Sequence, residues 1–568
     1  MAFIVKKNIG GREYYYLNEN KRIGGKVKTK TLAYLGKNRK DAEKKAEEII
    51  NKIKNEASAK ENKKIEDRTG NEDNISEYKL EHKKTSIDEL ANFCKAKGFI
   101  FRSSDIYGGF SGFWDFGHLG VELLKNIKDD WWNYFVRRKD NVAGIEASII
   151  SHPKTWKASG HIAGFNVNDY LVVCKKCKRS SKVDKPDLGK VKCDNCGGEY
   201  DWDSAKVVEQ MFKTSVGPDK QEVYLRGETA QAMFMNFKLI TQTSRMQLPF
   251  GIAQIGRCFR NEIAPRDFLF RSREFHIAEI EFFINPEETR CSLLTKKHLD
   301  LKIKFLDSES QRAEKKELKE TTIGKIIKEK RLVEWHAYWL AEQILWLDTI
   351  GLKDLKIREH TKDELSHYSS ATFDIDFDYS FGSKEIAGNA NRGTYDLMQH
   401  QKESGENMEV FDDKAGKKVL PKVIEPTFGV ERVFLALLSG NYYKNPKGET
   451  VLTLPPKLAP IKAAVFPIVK GARFEKTAGQ IARNLKQEFN VLYDKSGSIG
   501  RRYARNDEIG TPFCITIDGD SLKKEDVTIR DRDTKKQIRV KISNLKDTLK
   551  KLIEAEISFD EAGKPFNF

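Results

Sequence analysis

Hydrophobic and polar positions alternate along this chain in two periods, and the switch between them marks the elements. In LGVELLKNIKDDWWNYFV at 119–136, Leu124, Ile127, Trp131 and Phe135 recur at helical spacing and make one apolar face. QLPFGIAQIGRCFR at 247–260 and REFHIAEIEFFI at 273–284 read as strands. With only the loop 261–272 between them, an antiparallel pair is the economical arrangement. TFDIDFDYSFG at 372–382 alternates strictly, Phe373, Ile375, Phe377 and Tyr379 against Asp374, Asp376 and Asp378, which predicts a strand buried on one side. VERVFLALLSG at 430–440 predicts a short apolar helix ending in glycine, and residues 290–350 read as mostly helical and charged.

The ends of the chain have different patterns. Residues 1–40 are strand-rich, with two strands expected around Gly24-Gly25, and residues 41–64 read as a charged helix. A polar stretch at 61–84 predicts a linker, so a boundary is placed near Thr85. A second boundary falls near LTLPPKLAP at 452–460, where three prolines cluster. Beyond it, short apolar strands alternate with amphipathic helices, the pattern of a small α/β domain with a mixed sheet.

The length, 568 residues, suits three to four domains, and 39% hydrophobic residues suffice for real cores. No run of 18 apolar residues exists and the first residues lack a signal-peptide pattern, so no membrane association and a cytoplasmic location are expected. The net charge of +17 points to a polyanionic partner, nucleic acid first. At the N-terminus, Lys and Arg stand beside Tyr14, Tyr15 and Tyr16: an accessory RNA contact or a solubilising tail.

Three constellations carry chemistry. Cys174-x2-Cys177-x15-Cys193-x2-Cys196 has the spacing of four thiolates around a tetrahedral Zn²⁺, closed and therefore structural; a redox dithiol pair is the alternative. In FRNEIAPRDFLFRSREFHIAEIE at 259–281, Arg260 and Arg271 flank a loop and suit phosphate. Arg273, Phe275, Ile277 and Glu279 share one strand face, either a surface that stacks a purine and meets an ammonium group or a solvated sheet face. In VIEPTFGVERVFLALL at 423–438, Glu425 and Thr427 precede a helix whose start carries Arg432, a place for an anion or an ordinary helix start.

These motifs together resemble motifs 2 and 3 of the class II aminoacyl-tRNA synthetases. Within that class, GFIFRSSDIYGGFSGFWDFGHLGVELLKNIKDDWW at 98–132, LRGETAQ at 225–231, FRNEIAPR at 259–266, REFHIAEIEFF at 273–283, FGSKEIAGNANRGTYDL at 381–397 and IEPTFGVER at 424–432 resemble the glycyl-tRNA synthetases. The resemblance implies an α+β fold: an antiparallel catalytic sheet flanked by helices over 86–458, with a zinc-ribbon insertion at about 170–202 and a helical insertion at about 290–350. It also implies an anticodon-binding domain at 459–568, leaving 1–85 as a basic appendage.

By resemblance, ATP with Mg²⁺, glycine and tRNA(Gly) are the ligands, the product is glycyl-tRNA formed through glycyl-adenylate, and the protein is a homodimer. Arg260 is implied at the α-phosphate and Arg432 at the γ-phosphate. Asn261 and Glu262 are implied at the nucleotide, Glu262 on the adenine amino group. Phe275 stacks the base while Arg271 and Ser272 close the loop. Glu385 and Ile386 match an ATP-contacting pair, with Glu385 on Mg²⁺. Glu228, Glu279, Glu425 and Thr427 are implied around glycine. Four positions depart from the family: His118 and Gly227 replace prolines, Thr427 a serine, and Phe268 a glycine.

Overall fold

The computed structural model describes residues 2–9, 12–23, 26–36, 38–39, 41–46, 85–162, 169–184, 187–207, 210–312, 317–445 and 448–566. The chain forms two compact units, Met1–Leu80 and Glu81–Phe568.

The first unit holds a three-stranded antiparallel sheet, Ala2–Ile9, Arg12–Ile23 and Lys26–Gly36. The chain therefore uses one more strand than its pattern suggested, because AFIVKKNI pairs along the full length of REYYYLNE. Of the predicted helix at 41–64, residues 41–46 are helical; the rest, with the predicted linker at 61–84, lies outside the described residues.

The second unit is built on a nine-stranded sheet. Six consecutive strands at its centre are antiparallel: Lys356–Glu359, Ala371–Tyr379, Gly382–Gly393, Lys422–Gly429, Glu274–Ile284 and Phe250–Phe259. The expected antiparallel sheet is mixed towards its two sides, where Lys302–Leu306 runs parallel to Lys356–Glu359 and Val142–Gly144 parallel to Phe250–Phe259. The segment 290–350 is also not simply helical. It supplies two strands, Lys302–Leu306 and Lys319–Thr322, whose lysine-rich alternation mimics a solvated helix. Its long helix, Glu334–Thr349, is an apolar core element: Trp335, Trp339, Leu340, Trp346 and Leu347 are all buried.

A helix at His118–Trp132 buries Leu124, Ile127 and Trp131 as its spacing predicted, and Phe135 follows in the next turn. Trp131, Phe135 and Trp346 converge on Phe428, at ring-centroid distances of 6.1, 5.4 and 5.0 Å. That packing fixes the strand Lys422–Gly429, which carries Glu425 and Thr427. His118 opens the helix at a position where proline is also tolerated, so the family departure leaves its start in place.

The alternating strand Ala371–Tyr379 differs from its one-sided prediction. Asp374 and Asp376 are buried along with Phe373 and Ile375, because Arg358 and His360 cover the acidic face. The C-terminal segment forms a six-stranded mixed sheet with its own core of Val465, Ile481, Ile515, Ile529 and Leu549 among others. Arg532 donates to the carbonyl oxygens of Leu454 and Gly510, tying that sheet to the preceding proline-rich segment. Among the described residues no helix is long and apolar enough to cross a membrane.

Candidate functional site

The antiparallel pair Phe250–Phe259 and Glu274–Ile284 puts Arg260 at the end of one strand, facing the start of the other. Arg260 Nε donates to the Gly227 carbonyl at 3.0 Å, and its guanidinium carbon sits 5.5 Å from the centroid of the Phe275 ring. Across the connecting loop, Arg271 donates to Glu262, 2.7 Å from Nε and 2.5 Å from Nη2. The same loop places Phe268 at φ 58°, a backbone region where glycine is the easy occupant, and its ring packs edge-on to Trp114 at 4.8 Å. That ring contact acts against the backbone cost of the position. Ser272 is buried beside the loop.

From the opposite side, the helix Val430–Gly440 presents Arg432 in its first turn, 2.9 Å from the carboxylate of Glu385 on the strand Gly382–Gly393. Desolvation acts to raise the Glu385 carboxyl, but Arg432 overrides it and holds the group below its ordinary range. Glu431, next to Arg432, accepts hydrogen bonds from the His276 backbone N–H at 2.7 Å and pairs with the His276 ring at 2.7 Å, fixing the helix start against the strand. Ile386 buries its side chain in the core, so only its backbone is available to a ligand.

Arg260, Glu262, Arg271, Ser272, Phe275, Glu385, Thr427 and Arg432 line one cleft of about 160 Å³. A larger cavity, about 670 Å³, lies at the sheet edge around Lys302, Thr322 and Leu352 and contains none of the predicted residues, so size does not mark the site. The smaller cleft combines three guanidinium groups, an aromatic face and a helix N-terminus, the donor set of a phosphorylated planar ligand.

Beyond Thr427 lies a buried acidic pocket. Glu228, Glu279 and Glu425 are all nearly inaccessible. Thr427 Oγ1 is 3.1 Å from Glu425 and 3.4 Å from Glu279, joining cleft to pocket. The carboxylates differ sharply. Burial, with Glu425 and Glu228 close by, pushes Glu279 up to about 8, although Thr229 donates to it through both N–H and hydroxyl. Burial would raise Glu228 too, but His161 at 3.0 Å, Arg392 and Gln231 hold it well below the ordinary carboxylate range. The surroundings thus drive two carboxyls of one pocket in opposite directions.

The compensating charge is Arg392, which the sequence pattern did not single out. It donates to Glu425 at 2.7 Å and in bidentate fashion to Asp396 at 2.7 and 2.9 Å, and its guanidinium lies 3.8 Å from the Tyr368 ring centroid. Gln231 bridges Glu228 and Asp396 at 2.9 and 3.0 Å. An arginine with aspartate four residues on, inside the small-residue run GNANRGTYD, was the available signal. His161 had none, since its partner is 67 positions away.

None of the four paired cysteines lines this cleft. The sheet of Asp169–Cys174, Ser180–Asp184 and Tyr200–Val207 brings Cys174, Cys177, Cys193 and Cys196 together, all sulfurs within 4.8 Å of one another. The Cys174–Cys196 and Cys177–Cys193 separations, 3.5 and 3.7 Å, are too long for disulfides. They approach the edge of about 3.8 Å that a tetrahedron with metal–sulfur bonds of about 2.3 Å requires.

Two family models match the chain. Residues 462–552 match the anticodon binding domain, and residues 4–67 match the N-terminal domain of the IS1634 family transposases. The chain is similar to the glycine–tRNA ligase of Caldanaerobacter subterraneus subsp. tengcongensis, 40% identical over 510 residues, covering 84% of this chain and 99% of the relative. It is 38% identical over 503 residues to that of Bacillus cereus, covering 83% of this chain and 99% of the relative. To that of Treponema denticola it is 38% identical over 488 residues, covering 83% and 98%.

Proposed function

The chain belongs to the glycine–tRNA ligase family, and we propose that it charges tRNA(Gly) with glycine through a glycyl-adenylate, using the cleft and the acidic pocket described above. One observation carries the assignment of the site: the cationic cleft and the carboxylate pocket meet at Thr427. A nucleotide in the first and an amino acid in the second would bring α-phosphorus and carboxylate together.

In this reading Phe275 stacks the adenine and Glu262 receives its amino group, with Asn261, Arg271 and Ser272 in the closing loop. Arg260 binds the α-phosphate and Arg432 the γ-phosphate. The backbone at Ile386 contacts the nucleotide. Glu385, ionised beside Arg432, suits Mg²⁺, which neutralises phosphate charge when bound. The glycine carboxylate attacks the α-phosphorus in line and displaces pyrophosphate; a ribose hydroxyl of the terminal adenosine of the tRNA then attacks the activated carbonyl and displaces AMP. The protein contributes position and preorganised cationic charge, and no side chain acts as a nucleophile.

Glu228, Glu279 and Glu425 receive the ammonium group. The methyl of Thr427 crowds the α-carbon, so a larger amino acid clashes. Steric exclusion suits the smallest substrate, since a hydrophobic pocket discriminates a missing methylene by only about 1–3 kcal/mol.

Cys174, Cys177, Cys193 and Cys196 would hold a structural Zn²⁺, since four thiolates would leave no position open for catalysis. Residues 459–568 read the anticodon. The functional unit is a homodimer: Ile106, Tyr107 and Phe110 are exposed in the loop before the helix His118–Trp132, as is Val121 on it, an apolar surface that a second copy would cover. The test is ATP–pyrophosphate exchange with each of the twenty amino acids. Glycine should stimulate it and alanine and serine barely; equal stimulation by alanine would remove the glycine assignment.

A further inference from the structure

The Caldanaerobacter ligase is covered to 99% by 84% of this chain, and residues 4–67 match a different family. The first unit is therefore an addition to the synthetase, and its surface needs its own account. Residues 1–40 carry eight lysines and three arginines against two glutamates, which is nine of the 17 surplus charges.

The sheet of this unit has two unlike faces. On one, Tyr15, Leu17 and Leu35 are buried against Ala42 and Ala46 of the helical segment. Glu13 belongs to this side, where Tyr15 donates to it at 2.9 Å and Lys6 pairs with it. On the other, Tyr16 and Tyr34 are directly paired across neighbouring strands, with ring centroids 5.2 Å apart. Tyr14 continues the row, 6.3 Å from Tyr34, and the Lys7 ammonium lies 5.2 Å from the Tyr16 ring centroid. Tyr34 is 52% exposed. The carboxylates of this unit whose side chains are described, Glu13, Asp41 and Glu43, are on the covered face or on the segment covering it.

We propose that the open face of Tyr14, Tyr16 and Tyr34, with Lys7, binds unpaired RNA bases, and that its occupant is the tRNA substrate. The identity of the occupant rests on the function proposed above; the RNA chemistry does not. Bases stack on aromatic side chains irrespective of sequence, and lysines beside the rings meet the phosphates. Tyr15, in the same tyrosine run, takes no part, because strand alternation turns it into the core. A merely solubilising tail has no reason to display three adjacent tyrosine rings, and a core would cover them.

The experiment uses the full-length protein, with Tyr16→Ala, Tyr34→Ala, Tyr34→Phe and Lys7→Gln variants. Binding of a tRNA(Gly) transcript, a short oligouridylate and a random duplex DNA is followed by fluorescence anisotropy across a salt series. Each alanine variant should bind both RNAs about fivefold or more weakly, from the loss of one stacked base. Tyr34→Phe, which keeps the ring, should bind like the parent. Lys7→Gln should flatten the salt slope by about 0.7, the value for one contact to a single strand. Unchanged RNA affinity in both alanine variants overturns the proposal, as does duplex DNA binding more tightly than either RNA and weakening in the same variants. Weakened oligouridylate binding with unchanged tRNA binding overturns tRNA as the occupant. Glycine-dependent pyrophosphate exchange needs no tRNA and reads the central site alone. Its absence from the parent protein would remove the proposed function while leaving the RNA face standing.

Discussion

Arg392 and Glu425 form a buried ion pair, Nη1 to Oε2 at 2.7 Å, on the two neighbouring strands that bound the acidic pocket. Arg392 is the guanidinium shared by Glu425, Asp396 and Glu228. Glu281 lies in the same region, both its oxygens buried without a hydrogen-bond partner and its carboxyl raised well above the ordinary range by burial and by Glu425.

Removing Arg392 strands several buried carboxylates. Arg392→Met is expected to lower unfolding stability by about 3–5 kcal/mol, the cost typical of an uncompensated buried charge. Arg392→Lys should recover only part of it, because an ammonium cannot reproduce the fork that holds Asp396 by two bonds. Urea denaturation midpoints check this, and a parent-like midpoint in the methionine variant would refute it.

If Glu279 meets the glycine ammonium as proposed, glycine binding should depend on pH. Its folded-state value is raised to about 8 by burial and its acidic neighbours, so below that pH it is largely protonated in the free protein. An incoming ammonium favours the ionised form, and binding should release a proton. The KM for glycine in pyrophosphate exchange should therefore fall as pH rises from 6 to 8. Glu279→Gln should abolish that dependence; a flat profile in the parent would contradict the assignment.

The same group shapes stability. A carboxyl raised in the fold binds its proton where the unfolded chain has lost it, so its contribution is unfavourable above the unfolded value, near 4.5. The penalty grows as pH rises towards 8. Between pH 5 and 8 the parent should lose stability relative to Glu279→Gln, measurable as a widening gap between their thermal midpoints; parallel curves would mean Glu279 is ionised in the fold.

Arg260 sits at a strand end over the cleft, with one bond to a backbone carbonyl. Arg260→Ala should leave the fold nearly intact and slow adenylate formation by about 2–4 kcal/mol, the usual loss for one preorganised charge contact. Wild-type exchange rates in this variant would place the phosphate site elsewhere.

For the cysteine cluster, elemental analysis should find one zinc per chain. Cys193→Ser should release it and raise hydrogen exchange across 170–200, while pyrophosphate exchange partly survives, since the cluster lies outside the cleft. A metal-free parent protein with the same protection of this segment would overturn the zinc assignment.

Local pattern alone determined much of this protein. The helical face of Leu124, Ile127, Trp131 and Phe135 and the antiparallel pair around the loop 261–272 follow from spacing, because an element's periodicity is written into neighbouring residues. So does the convergence of the four cysteines. Arg260, Phe275 and Arg432 lie in short motifs at element ends, but pattern alone left a solvated face or an ordinary helix start equally open, and the family resemblance pointed to the cleft that they line.

Other properties were decided only by contacts between distant segments. Nothing near Glu228 or Glu279 in sequence distinguishes an ionised carboxyl from a neutral one. The difference comes from His161, 67 positions from Glu228, and from the crowding of Glu279 by Glu425 and Glu228. Asp374 and Asp376 read as a solvent face until Arg358 and His360 arrive from the neighbouring strand and the residue after it to cover them. Within the run Tyr14, Tyr15 and Tyr16, the helical segment decides which face of the sheet is closed. Periodicity reports which residues share a face, but not what that face meets. Desolvation and Coulomb attraction depend on what it meets, so protonation and ion pairing were settled only when the chain folded.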